Sequence, residues 1–413
     1  MKKNHADNSS SSPDTDKEAA VDKILSHTPF KHDSSHPSVF WASGDGPYKN
    51  TRKALSNIDL SPAKNNRVLL KPNVGRNVAP ETGITTHPQV VAAAIDAFRE
   101  CGADVAVGES PITGVTTLEA FETSGIAAVS NTRNCPLIDM DVRQYATVEI
   151  PEGVAIKSLK VCREIAEYDI IVSIPVMKTH MHTGVTLSVK NMKGCLWRRS
   201  KVDLHMLPQL SGHEEKPLDI AIADLSSVLR PHLSIIDGTI GMEGLGPSAG
   251  NPKALDVVLV GVDAFATDSL ACSIMGISAH DVPHLRMGAE RGYGVINLDS
   301  IVTNPENWKD VRSPFIPPPD ELSIEFAGFE ILDQQSCSAC QSTLLMFLRK
   351  YGKQLRDTKP DDEDIIIAIG KGHEELPPGT LCVGNCTAKH KSCGVFVSGC
   401  PPVASEILSM FYL

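Results

Sequence analysis

Between residues 66 and 290, short apolar runs alternate with segments whose apolar side chains recur every three or four positions. The first pattern predicts strands and the second predicts amphipathic helices. Arg67-Val-Leu-Leu-Lys71 reads as a buried strand. Thr85-Thr86-His87-Pro88 then offers a cap and a proline suited to a first helical turn. Val91, Ile95 and Phe98 carry the apolar stripe of that helix, and Gly102 stops it after Cys101. Residues 103–108 and 168–175 are further strands. Leu218, Ile222, Leu225 and Leu229 mark a helix that ends at Pro231. Residues 233–237 and 254–261 return to strand, and Asp263 caps a helix running to Gly276. Such alternation builds βαβ units, so the expected fold class is α/β with a mainly parallel sheet flanked by helices.

The pattern changes after the stiff, proline-rich connector Ser313-Pro-Phe-Ile-Pro-Pro-Pro319. A helix follows Cys340 through Leu344, Leu345, Phe347 and Leu348. Strands are expected at 364–370, 380–384 and 394–397, and a short helix closes the chain. This is a small C-terminal α/β module. At the other end, residues 1–35 are rich in Ser, Asp and Asn and read as a disordered tail. The expected organisation is therefore a tail (1–35), a main α/β domain (36–320) and a module (321–413).

Composition narrows the partners. At 41% hydrophobic and 22% charged residues the chain resembles an ordinary soluble protein. No apolar run approaches the roughly 20 residues that span a bilayer. The N-terminus lacks the apolar stretch of a secretory signal. A cytoplasmic protein without membrane attachment is expected. The formal net charge of −11 argues against nucleic acid as the main partner.

Six of the eleven cysteines fall after residue 336. They comprise the Cys337-Ser-Ala-Cys340 hook, Cys382, Cys386, Cys393 and the Gly399-Cys400-Pro401-Pro402 turn. Two cysteines two residues apart can grip one centre from a single turn, and iron–sulfur clusters are held by four thiolates in patterns that often end in Cys-Pro. Zinc also uses paired cysteines, but zinc ribbons repeat the hook, and none is repeated here. The gaps are long and uneven, with 45 residues between Cys340 and Cys386 and 13 between Cys386 and Cys400. The expected cofactor is a [4Fe–4S] cluster.

In open parallel sheets, ligands bind beyond the carboxyl ends of the strands. Those ends are unusually polar. They carry Lys71-Pro-Asn73, Gly108-Glu109-Ser110, Lys178-Thr-His180-Met-His182, Lys190-Asn191-Met-Lys193-Gly194, Asp237-Gly238 and the Gly-rich run containing Glu243. That run lacks the Lys-Ser/Thr of a phosphate loop. One pocket for a small anionic molecule is expected, with Lys71, Asn73, Lys190 and Lys193 binding it. Lys178, His180, His182, Glu109 and Glu243 would polarise the ligand or move protons. His180 and His182 share one face of an extended segment, which also permits joint metal binding. Arg198-Arg199-Ser-Lys201 reads as a solvated surface run.

These short motifs, in this order, resemble the family called domain of unknown function 362. The resemblance runs through Lys71-Pro-Asn73, Thr86-His87-Pro88, Gly108-Glu109-Ser110, Lys178-Thr-His180, Lys190-Asn191-Met-Lys193-Gly194, Asp237-Gly238, Glu243-Gly244-Leu-Gly246-Pro247 and Asp268, over roughly residues 65 to 300. It implies the α/β fold but no substrate. The tail from Gly384-Asn-Cys386 to Pro402 is similar to a cysteine module of some members, many of which are described as iron–sulfur proteins. That likeness favours Cys337, Cys340, Cys386 and Cys400 as ligands and leaves Cys382 and Cys393 as extras. The functional expectation is a redox enzyme, with an electron-transfer protein as partner and an oligomer not excluded. The rivals are a non-redox lyase, hydratase or desulfidase using an open iron, and a carrier protein with a structural cluster.

Overall fold

The computed structural model describes residues 28–318, 326–356 and 364–411. Its larger part is a ten-stranded sheet. The first half of the chain supplies β1 (Ser38–Ser43), β2 (Arg67–Pro72), β3 (Asp104–Glu109) and β4 (Leu137–Asp139). A separate antiparallel pair follows, β5 (Tyr145–Glu149) and β6 (Ser158–Cys162). The large sheet resumes with β7 (Ile170–Ile174), β8 (Val176–His180), β9 (Gly184–Thr186), β10 (Leu233–Glu243), β11 (Asn251–Gly261) and β12 (Val302–Asn304). Its order is β12-β1-β11-β10-β7-β2-β3-β4, with β8 on β10 and β9 on β8.

The half from β10 to β4 is parallel. Antiparallel pairing joins β1 to β11, β10 to β11 and β8 to β9. Successive side chains on a strand point to opposite faces. Accordingly Val68 and Leu70 enter one core while Leu69 enters the other. Ile235 and Ile236 divide in the same way, as do Val258 and Leu259. Both faces are covered, which is why these strands read as continuous apolar runs. The chain is a mixed α/β protein with a large, mostly parallel sheet flanked by helices.

Caps follow the sequence signals. The helix Pro88–Glu100 is capped by His87, and the helix Ala264–Ile274 by Asp263, whose carboxylate accepts from the amides of Phe265 and Ala266. Of the strands introduced so far, β1, β4, β5, β6, β8, β9 and β12 were not expected. β1 precedes the alternating region, and β8 occupies Val176–His180, whose lysine and histidine suggested a loop after the third strand. All five residues of β8 are buried. Tertiary pairing with β10 and β9 overrides their weak strand preference.

A smaller, all-parallel sheet holds β13 (Phe329–Asp333), β14 (Ile365–Ile369), β15 (Thr380–Val383) and β16 (Gly394–Val397), in that order. The helix Ser338–Arg356 lays Leu344, Phe347 and Leu348 on it. Residues 1–27 of the expected tail lie outside the described residues. Its end is packed: Phe30 is buried edge-on to Phe98 at 6.4 Å between ring centroids, and Thr28 Oγ1 donates to the His232 carbonyl. The Phe30 ring thus packs with the main domain, while residues 31–36 are exposed.

Candidate functional site

The ends of β2, β3 and β7 meet at a fully buried hub. Lys71 ends β2 with its ammonium 2.9 Å from Glu109 at the end of β3. It also donates to the Pro72 carbonyl and to Asn191 Oδ1. Asn191 returns its amide hydrogens to the Lys71 carbonyl and Ser173 Oγ. Glu109 further accepts from the amides of Val74 and Ser110. Every oxygen of this carboxylate is engaged, so it orients Lys71 and the loop after β2. Gly194 closes over the pair: a Cβ there would lie 2.5 Å from Lys71 Nζ and 2.7 Å from Glu109 Oε1.

Around this hub stand cations without carboxylates. Lys178 is buried and donates to Asn73 Oδ1 at 2.6 Å and to the Ile84 carbonyl at 2.8 Å. Burial pushes its ammonium well below its usual value, and Lys190 and Arg76 push the same way. Lys190 meets the Thr186 hydroxyl at 3.4 Å, and burial lowers it to about 7, with Asp219 pulling back. The Lys193 ammonium contacts His205 Nε2, and burial again lowers it, helped by Lys190 and Lys201. His180 and His182 lie with ring centroids 5.7 Å apart. Burial lowers His180 strongly, and Lys190, His182, His205 and Lys193 add to the effect. Asn73, Arg76, Lys193 and His205 are partly exposed, so the group opens to solvent as a crevice.

The frame explains several motif residues outside the crevice. Asp268 accepts from the amides of Ser188 and Val189, which fixes the short helix Ser188–Asn191 bearing Lys190 and Asn191. Burial raises that carboxyl to about 8, against the pull of the two amides. Asp237 accepts from the amides of His87 and Thr239. Thr86 bridges the Asn73 amide and the Ile174 carbonyl.

Lys71, Asn73, Glu109, Lys178, His180, His182, Lys190 and Lys193 therefore gather in one place. Glu243 does not join them. Strand alternation turns it away from its neighbour Met242, and its carboxylate binds Lys253 and the Ile316 amide. Lys201 is not solvated either: it is buried and donates to Ser110 Oγ and the Leu196 carbonyl. Arg76 and His205 were missed, since each is an isolated polar residue in a loop or short turn. Burial alone lowers Arg76 to about 10.

The second centre is the cysteine module. Cys340 donates to Cys337, which lowers the Cys337 thiol to about 6 and raises that of Cys340. Burial and the charges of Cys337, Cys386 and Cys400 raise Cys340 further. Cys386 is raised by burial, then by Cys337 and Cys400. Cys340 thus feels the other three expected ligands, and Cys386 feels Cys337 and Cys400. Gly384 fits the same space: its φ is +93°, and a Cβ there would lie 3.3 Å from Cys340 Sγ. Among the described residues no three His, Cys, Asp or Glu side chains stand close enough to share one metal ion. Cys382 is turned aside, with its thiol on the Thr380 and His390 carbonyls.

The two centres adjoin. Cys400 Sγ is 3.6 Å from Met206 Sδ, and the neighbouring His205 contacts Lys193. Arg199 donates to the Cys400 carbonyl, and Ser342 Oγ reaches Met181 Sδ, next to His180 and His182.

Fold and site together define an α/β protein of one large sheet, one four-stranded sheet and one two-stranded pair, with a cationic crevice at the strand ends beside the cysteine module. Residues 68–273 match the model of the domain of unknown function DUF362, and the chain belongs to that family. It is 27% identical over 252 residues to the thylakoid-associated protein sll1697 of Synechocystis sp., covering 59% of this chain and 75% of that one. The lactate racemase apoprotein from Thermoanaerobacterium thermosaccharolyticum aligns with 81% of this chain and 68% of its own, at 14% identity and a TM-score of 0.38. A likeness that weak carries no argument about this chain. No described helix is long and apolar enough to cross a membrane.

Proposed function

We propose that the protein is a [4Fe–4S] protein and a redox enzyme acting on a small anionic substrate in the crevice. Cys337, Cys340, Cys386 and Cys400 would hold the cluster, which when bound supplies single electrons. The observation that carries the reading is adjacency: Cys400 touches Met206, and the next residue, His205, contacts Lys193 in the crevice. Short separation is what direct electron transfer to a bound substrate requires.

The chain's own groups do the rest. Lys178, Lys190, Lys193 and Arg76 attract and polarise the anion in a site largely shielded from water, where such contacts are strong. His180 and His182 sit at the end of β8 beside these cations and are placed to give or take a proton. Burial favours neutral His180, which suits it to act as a base. Glu109 and Lys71 position the loop and not the proton. Free thiols in all eleven cysteines are consistent with a reducing, cytoplasmic setting, and the redox reading implies an electron-transfer protein as partner.

Anaerobic purification with iron and sulfide analysis, and electron paramagnetic resonance before and after dithionite, tests the reading. About four irons and four sulfides are expected, with a signal that appears on reduction. Stoichiometric zinc without sulfide would overturn it. A cluster that does not respond to reduction would leave only a structural role.

A further inference from the structure

We propose that the crevice takes a ligand with two or more oxyanion groups, a polycarboxylate or a polyphosphate. This deepens the reading of the strand-end crevice as an anion site. It rests on the surplus of buried cations and not on the cluster.

Arg76, Lys178, Lys190 and Lys193 have no carboxylate within 4.0 Å among the described residues. The one nearby carboxylate of the hub, Glu109, is already taken by Lys71 and two amides. Lys190 is nine-tenths buried, yet its contact is a 3.4 Å approach to a neutral hydroxyl. Lys178 is satisfied by an amide oxygen and a carbonyl, neither of which carries charge. An uncompensated buried cation is costly, and a fold that keeps two of them, Lys178 and Lys190, beside the partly exposed Arg76 and Lys193 is paired elsewhere or by a ligand.

The cations form two ends. Lys178 lies within the influence of Arg76 and Lys190, whereas Lys193 stands with His205 and within the influence of Lys190. Lys190 acts on both, and the three amines are held at different partners: Lys178 at Asn73 and Ile84, Lys190 at Thr186, and Lys193 at His205. A monoanion engages one end and leaves the other unpaired. A ligand with a charge at each end pairs both through charge-assisted hydrogen bonds. Burial and mutual repulsion favour the neutral amines when the ligand is absent, so the anion must draw protons in as it binds.

The test is isothermal titration calorimetry on the full-length, anaerobically purified protein at mildly alkaline pH, in two buffers of different ionisation enthalpy. The probes are pyrophosphate, malonate, inorganic phosphate and acetate. Malonate or pyrophosphate should bind at least about ten-fold tighter than acetate, with proton uptake. Which of the two binds better decides between polycarboxylate and polyphosphate. Arg76→Gln and Lys190→Gln should each weaken the preferred probe while leaving circular dichroism near that of the parent and the melting temperature no lower. Acetate binding as tightly as the dianions would overturn the proposal, and so would no binding by any probe to folded protein. Affinity unchanged in both variants would overturn it too. Iron and sulfide are counted on the same samples. Anion binding without a cluster would sink the redox reading and leave this one standing.

Discussion

The crevice and the cysteine centre are built in opposite ways. The crevice lies between two packed cores, and its groups are held by bonds made before any ligand arrives: Lys71 on Glu109, Asn191 on the Lys71 carbonyl, Asp268 on two amides. The cysteine centre sits on the loops of a small sheet, with Cys386 exposed and Cys337 and Cys400 only partly covered. The first stores the unfavourable energy of crowded, desolvated cations. The second is scaffolded around its two turns, where Asn385 Oδ1 accepts from the Gly399 amide and Thr387 Oγ1 donates to the Gly384 carbonyl, and on the proposed reading a bound cluster would complete its ligand set. On the proposed reading, preorganisation belongs to the anion site and assembly to the cluster site. The two should therefore fail independently.

Substitutions of the ligands give the largest expected effect. Cys337→Ser, Cys340→Ser, Cys386→Ser and Cys400→Ser should each abolish or sharply reduce iron and sulfide, whereas Cys101→Ser should retain both. In all five the large sheet should melt as in the parent. Loss of cluster in Cys101→Ser, or its retention in Cys400→Ser, would break the assignment.

Lys71→Met is next. It strands Glu109 in the core without its cation and should cost about 3–5 kcal/mol. Denaturant unfolding reads this directly. A cost below about 1 kcal/mol would show that the hub is not what holds the strand ends together. Gly194→Ala drives a methyl group into the same pair and should cost roughly 1–3 kcal/mol. Because Gly194 lies in the short helical turn Met192–Cys195 and not in the cysteine module, the variant should keep its iron.

The pH dependence is smaller. Lys190 has its folded value lowered from the ordinary 10.5 to about 7. Between those limits the unfolded chain binds more protons than the folded one, so stability rises with pH across that window. The ligand-free melting temperature should climb from near-neutral to alkaline pH, less steeply in Lys190→Gln. A steeper climb in the variant would contradict the assignment. A saturating anion should flatten the climb by restoring the charge.

Much of this was legible beforehand for identifiable reasons. β2, β3, β7, β10 and β11 are apolar runs covered on both faces, and their helices carry explicit caps, so pattern and structure agree. Lys71 was found from the end of its strand, and Lys178 and Lys193 from the polar segment that follows the third apolar run, with the family resemblance supporting all three. Arg76 and His205 were not found because nothing in their local pattern distinguishes them from surface residues. Only the folding of the loops after β2 and after residue 200 brings them to the crevice. Glu243 was misplaced by the same edge argument, which gives a strand's end but not the face of its last side chain. Lys201 read as solvated because a run of basic residues carries no periodicity. Its burial against Ser110 is a tertiary event.

The central claim is that the cysteine centre and the cationic crevice form one working site. The direct test is an anaerobic redox titration followed by electron paramagnetic resonance, with and without pyrophosphate or malonate. Negative charge placed beside a cluster disfavours the added electron, so the midpoint potential should fall when the anion is bound and stay put in Arg76→Gln, which binds it poorly. A reducible cluster with an identical potential under both conditions would contradict the account and separate the two centres.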